Sequence, residues 1–247
     1  MTGLDLTLRQ NGRAAAVRFE VRRVINAGFT GRDRAAVQRH IDELRAHGVP
    51  CPDRTPVLYP KMASLITTAA EIEVLGAETS GEAEFVLLVA PDRVLVAAGS
   101  DHTDRGLERT TIEKAKLVAP NVIATDVWDL ADVRDGWDDL VLASHTTADG
   151  RRTPYQQGRL ADMMRPDDLL ALVRARVEGD LGGTAIYSGT LALLGGTLIY
   201  GERFEVELRD ERRGRALRCD YRVTPIRWLK TPYVKSIGQG TDAQIEP

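Results

Sequence analysis

Short runs of β-branched and apolar residues, divided by Gly, Pro, Asp and Ser, recur along most of the chain. Runs of about four to eight residues are typical of β-strands, whereas helices need longer segments with a helical period. The clearest runs are VLYPK, EIEVLGA, EAEFVLLVA, RVLVAAG, TAIYSGT, TLIYG, RFEVELRD and ALRCDYRV. Their spacing predicts a body dominated by strands, arranged as a meandering sheet or roll.

The N-terminal residues predict further strands. Residues 3–8 and 15–26 contain alternating or β-branched apolar positions. Between them, Asn11 and Gly12 form the dipeptide that most favours a tight hairpin turn. We therefore expect these two segments to pair as a hairpin.

Two segments have a helical period instead. Residues 33–47 form the first, and it ends at Gly48 and Pro50 because neither residue favours continuing a helix. The second begins at Pro166, since proline suits the first turn of a helix. The apolar positions at helical spacing are Val37, Ile41 and Leu44 in the first segment and Leu169, Leu170, Val173 and Val177 in the second.

The bulk composition excludes several classes of protein. The chain has 247 residues and 43% hydrophobic content, which is enough for a packed core. Its 33 basic residues are dispersed among 36 acidic ones, so we expect neither a nucleic-acid nor a membrane partner. No stretch approaches the roughly 18 apolar residues of a membrane-spanning helix. Cys51 and Cys219 show neither metal-binding spacing nor a disulfide framework, and their spacing leaves a single bridge open; a reducing, cytoplasmic location fits best.

Three carboxylates form the strongest candidate site. Glu82 and Glu84 stand two residues apart at the start of a predicted buried strand, so both leave the same face. Like charges this close in an apolar sheet are unfavourable unless a cation lies between them. The next strand runs into Asp101, and three carboxylates on rigid strands suit Mg²⁺ or Mn²⁺. The alternative is that the glutamates face solvent and Asp101 merely begins a turn.

The order of motifs around these carboxylates resembles that of the fumarylacetoacetate hydrolase family. The family's pattern is E-x-E, then N-D-x-[ST]-x-R-D-x-Q, and then a lysine. Here GEAEFVLLV, GSDHTDRGLE and EKAK stand in the same order. The resemblance implies that Glu82, Glu84 and Asp101 hold the metal and that Lys116 is the active-site lysine, with Lys114 as the alternative.

The resemblance also implies a set of residues that contact the substrate. PVLYPKMASLI is similar to the family's P-x-L-F-x-K-P-S segment, and YSGT is similar to its later T-G-T turn. On this mapping His102 shapes the pocket wall. The implied substrate-binding residues are Tyr59, Lys61, His102, Arg105, Glu108 and Thr190. Ser64 would lie around the same pocket.

A catalytic pair is predicted on the first helix. His40 and Glu43 are three residues apart, so they project from one side and can hydrogen-bond to each other. A carboxylate orients an imidazole and raises its basicity, as a general base requires. In the family, G-R-N-Y-x-x-H-x-x-E supplies this pair from a lid, and GRDRAAVQRHIDEL stands in the same order without the Asn-Tyr dipeptide. The alternatives are a pair of surface residues, or His102 as the base.

The resemblance implies an α+β fold, a β-rich roll of the fumarylacetoacetase C-terminal type with a short N-terminal β/helix lid region. We accordingly expect residues 1–50 to form lid-like strands plus a helix, and residues 51–247 to form the metal-binding catalytic domain. The family tends to form dimers, which implies a homodimer. TSGEAEFVL and GSDHTDR resemble a bacterial branch whose members are described as proteins of unknown function.

The activity implied by the resemblance is a metal-dependent hydrolase that cleaves a carbon–carbon bond. The implied substrate is a small-molecule carboxylate, acylpyruvate-like or another 1,3-dicarbonyl or 2-oxo acid. Without water activation, the same site suits a lyase that decarboxylates a 2-oxo acid, or an enol–keto isomerase. A third hypothesis is a non-catalytic metal- or metabolite-binding protein. Ser100, Gly106 and Glu108 depart from the family's usual Asn, Asp and Gln, which puts the substrate class in question.

Overall fold

The computed structural model describes residues 2–46, 52 and 54–228. The strands are β1 (Thr2–Gln10), β2 (Arg13–Val21), β3 (Arg23–Gly28), β4 (Val57–Lys61), β5 (Ile66–Thr67), β6 (Glu71–Val74), β7 (Thr79–Ser80), β8 (Ala83–Val89), β9 (Val94–Asp101), β10 (Thr103–Asp104), β11 (Asn121–Ile123), β12 (Asp126–Asp129), β13 (Val141–Ala148), β14 (Arg151–Arg159), β15 (Thr184–Tyr187), β16 (Arg203–Asp210) and β17 (Arg215–Pro225). The helices are α1 (Arg34–Ala46), α2 (Arg105–Glu108), α3 (Ile112–Leu117), α4 (Leu130–Val133) and α5 (Pro166–Arg174), with 3₁₀ turns at Ala63–Leu65, Arg134–Asp139 and Leu160–Asp162. None of the helices in the described ranges is long and apolar enough to cross a membrane.

Most strands belong to two sheets. The larger has ten strands in the order β2-β1-β12-β9-β8-β15-β3-β4, with β11 beside β9 and β5 beside β11, and it curls into a half barrel. The second has five strands in the order β14-β13-β16-β17-β6. The strand-rich α+β fold predicted from the sequence is therefore confirmed.

The central strands β8 and β9 of the larger sheet are buried on both faces. One face packs against the five-stranded sheet and α5. Phe85, Leu87 and Val96 on this face share a core cluster with Phe204 and Leu217 of the five-stranded sheet. The other face lies inside the curl, where strands of the large sheet pack against one another. We call this cluster the inner core, and it includes Leu4, Phe19, Val86, Leu88, Ala97 and Ile123. Burial on both faces explains why β8 is a continuous apolar run rather than an alternating one.

The predicted hairpin is present, but its second strand is shorter than expected. Asn11 and Gly12 have φ angles of 50° and 74°, as a two-residue hairpin turn with a right-handed twist requires. The predicted strand at residues 15–26 is divided into β2 and β3 at Arg22. The backbone N–H of Arg22 donates to Gly183 rather than to β1, because the chain here changes partner from β1 to β15.

Two other predictions differ in outcome. The helix predicted at residues 33–47 is confirmed as α1. The strand predicted for TLIYG is wrong, because residues 197–201 form a loop between β15 and β16. Leu198 and Tyr200 in this loop are both more than a third exposed, so the run has neither a buried face nor a ladder partner.

The first three strands are part of the large sheet. β1 pairs with β12, and β3 lies between β15 and β4. The predicted domain boundary at residue 50 lies outside the described residues. Strands from before and after that position share one hydrogen-bonded sheet.

Candidate metal centre

Polar side chains replace the apolar ones at one end of the inner core. Side chains alternate along a strand, so Glu84 lies on the same face as Val86, and Asp101 on the same face as Ala97. The cross-strand register adds three more residues to this face. We call the set the polar layer, and it consists of Asn26, Lys61, Glu84, Asp101 and Asn121, all buried.

The three predicted metal ligands come together here: Glu84 and Asp101 belong to the polar layer and Glu82 lies beside it. Glu82, Glu84 and Asp101 each offer a carboxylate oxygen, and the three oxygens lie within 4.8 Å of one another. Glu84 and Asp101 are almost completely buried, while the Glu82 side chain is 13% exposed. Glu84 lies within strand β8, and Glu82 immediately precedes that strand. Asp101 is the last residue of the neighbouring strand β9. The structure therefore brings the three predicted residues together.

Two lysines contact the triad. The Nζ atom of Lys116 lies 2.9 Å from Oε2 of Glu82 and 2.6 Å from Oδ2 of Asp101. Lys61 approaches the other oxygen of Asp101, with Nζ 3.4 Å from Oδ1. Lys116 is buried on α3, whereas Lys114 is exposed on the same helix, so the structure brings Lys116 to the triad.

The Arg105 guanidinium forms ion pairs with two carboxylates, those of Glu82 and Glu108. Its Nη1 atom lies 2.9 Å from Oε1 of Glu82 and 2.8 Å from Oε2 of Glu108. Its Nε atom donates to the hydroxyl of Ser80 at 2.8 Å. The guanidinium therefore orients Glu82 from the side opposite Lys116, and Glu108 neutralises part of its charge.

The charges around the triad shift its pKa values in opposite directions. Burial alone would raise the pKa of Glu82, but Lys116 and Arg105 outweigh burial and bring that pKa to about 2. Burial raises the pKa of Glu84 well above its ordinary value, and the nearby Asp101 and Glu82 raise it further. Burial would lower the pKa of Lys116, but Asp101 and Glu82 outweigh it, so the pKa is raised. Glu84 is thus the carboxylate with too little positive charge beside it.

The donor set fits a hard divalent cation. Within the described residues, Glu84 accepts one hydrogen bond, from the backbone N–H of Gly189 at 2.8 Å. A cation bound between the three carboxylates would supply the positive charge that Glu84 lacks. Carboxylate oxygens are the ligands preferred by Mg²⁺ and Mn²⁺. Glu82, Glu84 and Asp101 could therefore hold such an ion.

Gly189 approaches Glu84 so closely because it has no side chain. Its φ is 87°, and a Cβ atom there would lie 2.4 Å from the hydroxyl of Thr30. The next residue, Thr190, is exposed, and its hydroxyl donates to the backbone oxygen of Ala83 and accepts from Gln156. Thr190 therefore stands next to the strand that carries Glu84, at the surface of the site.

His102 lies on the opposite face from the triad. It follows Asp101 directly, and adjacent residues of an extended chain point to opposite faces. Its Nδ1 atom lies 2.9 Å from the hydroxyl of Tyr221, and Nε2 lies 3.0 Å from the hydroxyl of Thr79. Burial, followed by the charges of Arg105 and Lys61, lowers the pKa of His102 to about 3. The neutral imidazole thus links the large sheet to β17.

The remaining predicted residues are placed as follows. Tyr59 is half-buried on β4, opposite Asn26, and Ser64 is exposed. His40 and Glu43 belong to α1, but their side chains lie outside the described part of the chain. The roles predicted for these residues stay predictions.

Sequence reasoning missed the two asparagines of the polar layer. Asn121 opens the apolar run NVIA, and Asn26 closes the apolar run VIN. A single amide at the end of a buried strand is a signal for a hydrogen-bonded polar site. Neither position lies in the motifs that carry the family resemblance, so those motifs could not point to them.

Solved structures share this fold. Cg1458, crystallised with an inhibitor, superposes with a TM-score of 0.62 at 18% identity over 87% of this chain and 84% of that one. A fumarylacetoacetate hydrolase family protein from Yersinia pestis CO92 gives 0.57 at 18% identity, covering 85% and 96%. 2-Keto-3-deoxy-D-arabinonate dehydratase, complexed with magnesium and 2,5-dioxopentanoate, gives 0.60 at 12% identity, covering 88% and 86%. The resemblance found in the motifs thus extends to the fold.

Sequence comparison gives a family match. No curated protein matches the chain significantly by sequence. The model of the family described as "Protein of unknown function (DUF2848)" matches residues 27–221, most of the chain. The chain therefore belongs to the DUF2848 family and has the fold seen in fumarylacetoacetate hydrolase family proteins.

Proposed function

We propose that this protein is a divalent-metal-dependent hydrolase that cleaves a carbon–carbon bond in an acylpyruvate-like or other 1,3-dicarbonyl or 2-oxo acid. The observation that carries the proposal is the convergence of Glu82, Glu84 and Asp101 within 4.8 Å. Within the described residues the buried carboxylate of Glu84 accepts one hydrogen bond, from Gly189, and its burial is unfavourable unless a cation joins it to its neighbours. The dehydratase with the same fold was crystallised with magnesium and a dicarbonyl compound, which supports this class of ligand.

A bound Mg²⁺ or Mn²⁺ would polarise a carbonyl oxygen of the substrate as a Lewis acid. The protein contributes charge around that position. Lys116 carries a full positive charge next to Glu82 and Asp101, where it stabilises negative charge that develops on a substrate oxygen. Arg105 holds Glu82 in orientation. These groups are positioned by strands and a short helix, so little reorganisation is needed during the reaction.

Hydrolysis also requires a base that activates water. In this proposal His40, oriented by Glu43, removes a proton from water, and the hydroxyl oxygen attacks the acyl carbonyl carbon. The bond between that carbon and the neighbouring methylene carbon then breaks, and the methylene carbon receives a proton. An acylpyruvate and water thus give a carboxylic acid and pyruvate.

The first test replaces Glu84 by glutamine, which keeps size and the hydrogen bond from Gly189 but removes the charge. We expect Glu84→Gln to abolish Mn²⁺-dependent release of pyruvate from acetylpyruvate and longer acylpyruvates. Glu73→Gln is the matched control, because Glu73 is exposed on β6. A Glu84→Gln protein that turns over at the rate of the original chain would exclude this site.

A second candidate is a decarboxylase or enol–keto isomerase acting on a 2-oxo acid. It is favoured by Lys116, a buried ammonium group 2.6 Å from Oδ2 of Asp101 that can donate a proton at the triad. Such reactions need the metal and a proton donor but no activated water. His40→Ala would then retain activity while Asp101→Ala loses it, whereas the hydrolase loses activity in both variants. Mn²⁺ binding without turnover of any 2-oxo acid or dicarbonyl compound would indicate a binding protein.

A further inference from the structure

A chain of hydrogen bonds leads away from the triad through the polar layer. Lys61 donates from Nζ to Oδ1 of Asn121 at 2.6 Å, and Asn121 donates from Nδ2 to Oδ1 of Asn26 at 2.7 Å. All three side chains are buried, with 6% exposure or less. The two asparagines are distinct from the three carboxylates that converge as the candidate metal ligands.

The charge of Lys61 fixes the direction of both amides. An ammonium group only donates hydrogen bonds, so Asn121 must turn its carbonyl oxygen towards Lys61 and its amino group towards Asn26. Asn26 must then accept with Oδ1, and its Nδ2 atom has no hydrogen-bond partner among the described residues. A buried donor without an acceptor is unfavourable. The hydrogen bond from Lys61 to Asn121 therefore determines the orientation of both amides, even though it leaves Nδ2 of Asn26 without a partner among the described residues.

Lys61 lies closer to the neutral oxygen than to the charged one. Its Nζ atom is 2.6 Å from Oδ1 of Asn121 but 3.4 Å from Oδ1 of Asp101. A lysine–carboxylate hydrogen bond is ordinarily about 2.7–2.9 Å long. The amide thus draws the ammonium away from the carboxylate, and Oδ1 of Asp101 is left with a long, weak contact.

The strand register places Asn121 beside Asp101, where it can hold the Lys61 ammonium. Asn121 on β11 stands directly opposite Asp101 on β9, so its side chain emerges beside the ligand on the same face. Lys61 reaches both residues from β4, at the far edge of the curled sheet.

We propose that Asn121 is a positioning residue of the metal centre. It holds the Lys61 ammonium away from Asp101 and so keeps Oδ1 of Asp101 available to a divalent cation, while Asn26 fixes the orientation of the Asn121 amide. This inference rests on the proposed function, since it assumes that Asp101 binds a metal. Asn121 acts on the metal only through Lys61, and this dependence separates it from a residue that merely supports the fold.

The test is the dissociation constant of Mn²⁺ for the full chain, measured by calorimetric titration. Asn121→Leu keeps the size of the side chain but removes the acceptor, so the released ammonium closes on Asp101 and competes with the metal. We expect the Kd to rise about tenfold. Lys61→Met removes the competing charge, and we expect Mn²⁺ to bind it no more weakly than the original chain. In the Lys61→Met background, Asn121→Leu should change the Kd by less than about twofold.

Asn26→Ala gives a second measurement that holds even if Asn121→Leu does not fold. It frees the Asn121 amide to rotate, so we expect a smaller rise in Kd that is again absent in the Lys61→Met background. Equal weakening with and without Lys61 would overturn the inference, because Asn121 would then act through the fold. An unchanged Kd in both Asn121→Leu and Asn26→Ala would overturn it too. If the original chain bound no Mn²⁺, the metal site itself would be contradicted, and this inference with it.

Discussion

Lys116 is the residue on which the charge balance of the triad depends most. Its ammonium bonds to Glu82 and Asp101, and both partners are largely buried. Removing one partner of a buried ion pair leaves the other charges uncompensated. We expect Lys116→Met to lower the free energy of unfolding by about 3 kcal/mol in the presence of a chelator. Mn²⁺ should raise the melting temperature of this variant more than that of the original chain, because the ion supplies the missing positive charge.

Lys114→Met is the matched control for this experiment. Lys114 is exposed on the same helix two residues earlier, so its loss should change the free energy of unfolding by less than about 0.5 kcal/mol. The measurements are chemical denaturation, for the free energy of unfolding, and thermal denaturation, for the melting temperature, of the three proteins with and without Mn²⁺. Equal stability of Lys116→Met and the original chain in chelator would show that the triad does not need this lysine.

At the level of single residues, strand alternation decides what the sequence could predict. The E-x-E spacing correctly placed Glu82 and Glu84 on one side, and Asp101 joined them because it ends the neighbouring strand. The same alternation turns His102 away, which motif order alone did not reveal. Asn121 meets Lys61 through the pairing of distant strands, which no local pattern encodes.

At the level of elements, an ion-pair cluster ties the segment before α1 to the body of the fold. Arg32 forms two hydrogen bonds of 2.9 Å with Asp138 in a 3₁₀ turn, and Arg165 at the start of α5 contacts the same carboxylate. The bonds from Arg32, helped by Arg165, lower the pKa of Asp138 to about 2. This cluster therefore fixes the point from which α1, with His40, departs.

Asp138→Asn should weaken this connection. At pH 7 we expect a loss of about 1 kcal/mol in the free energy of unfolding, kept small because the carboxylate is partly exposed. The native carboxyl titrates below its ordinary value, so its contribution is present above about pH 4 and is lost as the pH falls towards 2. The difference between variant and original chain, followed by denaturation across this range, should shrink accordingly. A difference that stays constant down to the lowest pH would exclude ionisation of Asp138 as the cause.

The elements with local determinants were predictable and the others were not. The hairpin at Asn11 and Gly12 and the helix α1 follow from turn chemistry and helical period, so their positions were correct. The division at Arg22 depends on a partner strand more than 150 residues away, which the hydrophobic pattern does not show. TLIYG has strand-forming residues but no neighbouring strand to pair with, and it forms a loop.

At the level of the whole molecule, the candidate site is a product of curvature. Because the ten-stranded sheet curls, residues from β4 and β11 meet at Asp101 inside it. The inner core fills the rest of that space, and the polar layer closes one end. The motif order could place the three carboxylates of the triad on the chain. The surrounding cations and amides became visible only in the folded sheet.

The central claim is that Glu82, Glu84 and Asp101 bind a divalent metal ion. It is tested most directly by elemental analysis of the full chain after removal of bound metal, reloading with Mn²⁺ and desalting. We expect about one Mn²⁺ per chain in the original protein and in Asp92→Ala, an exposed carboxylate between β8 and β9, and almost none in Asp101→Ala. The same Mn²⁺ content in Asp101→Ala as in the original protein, or none in the original protein, would contradict the account.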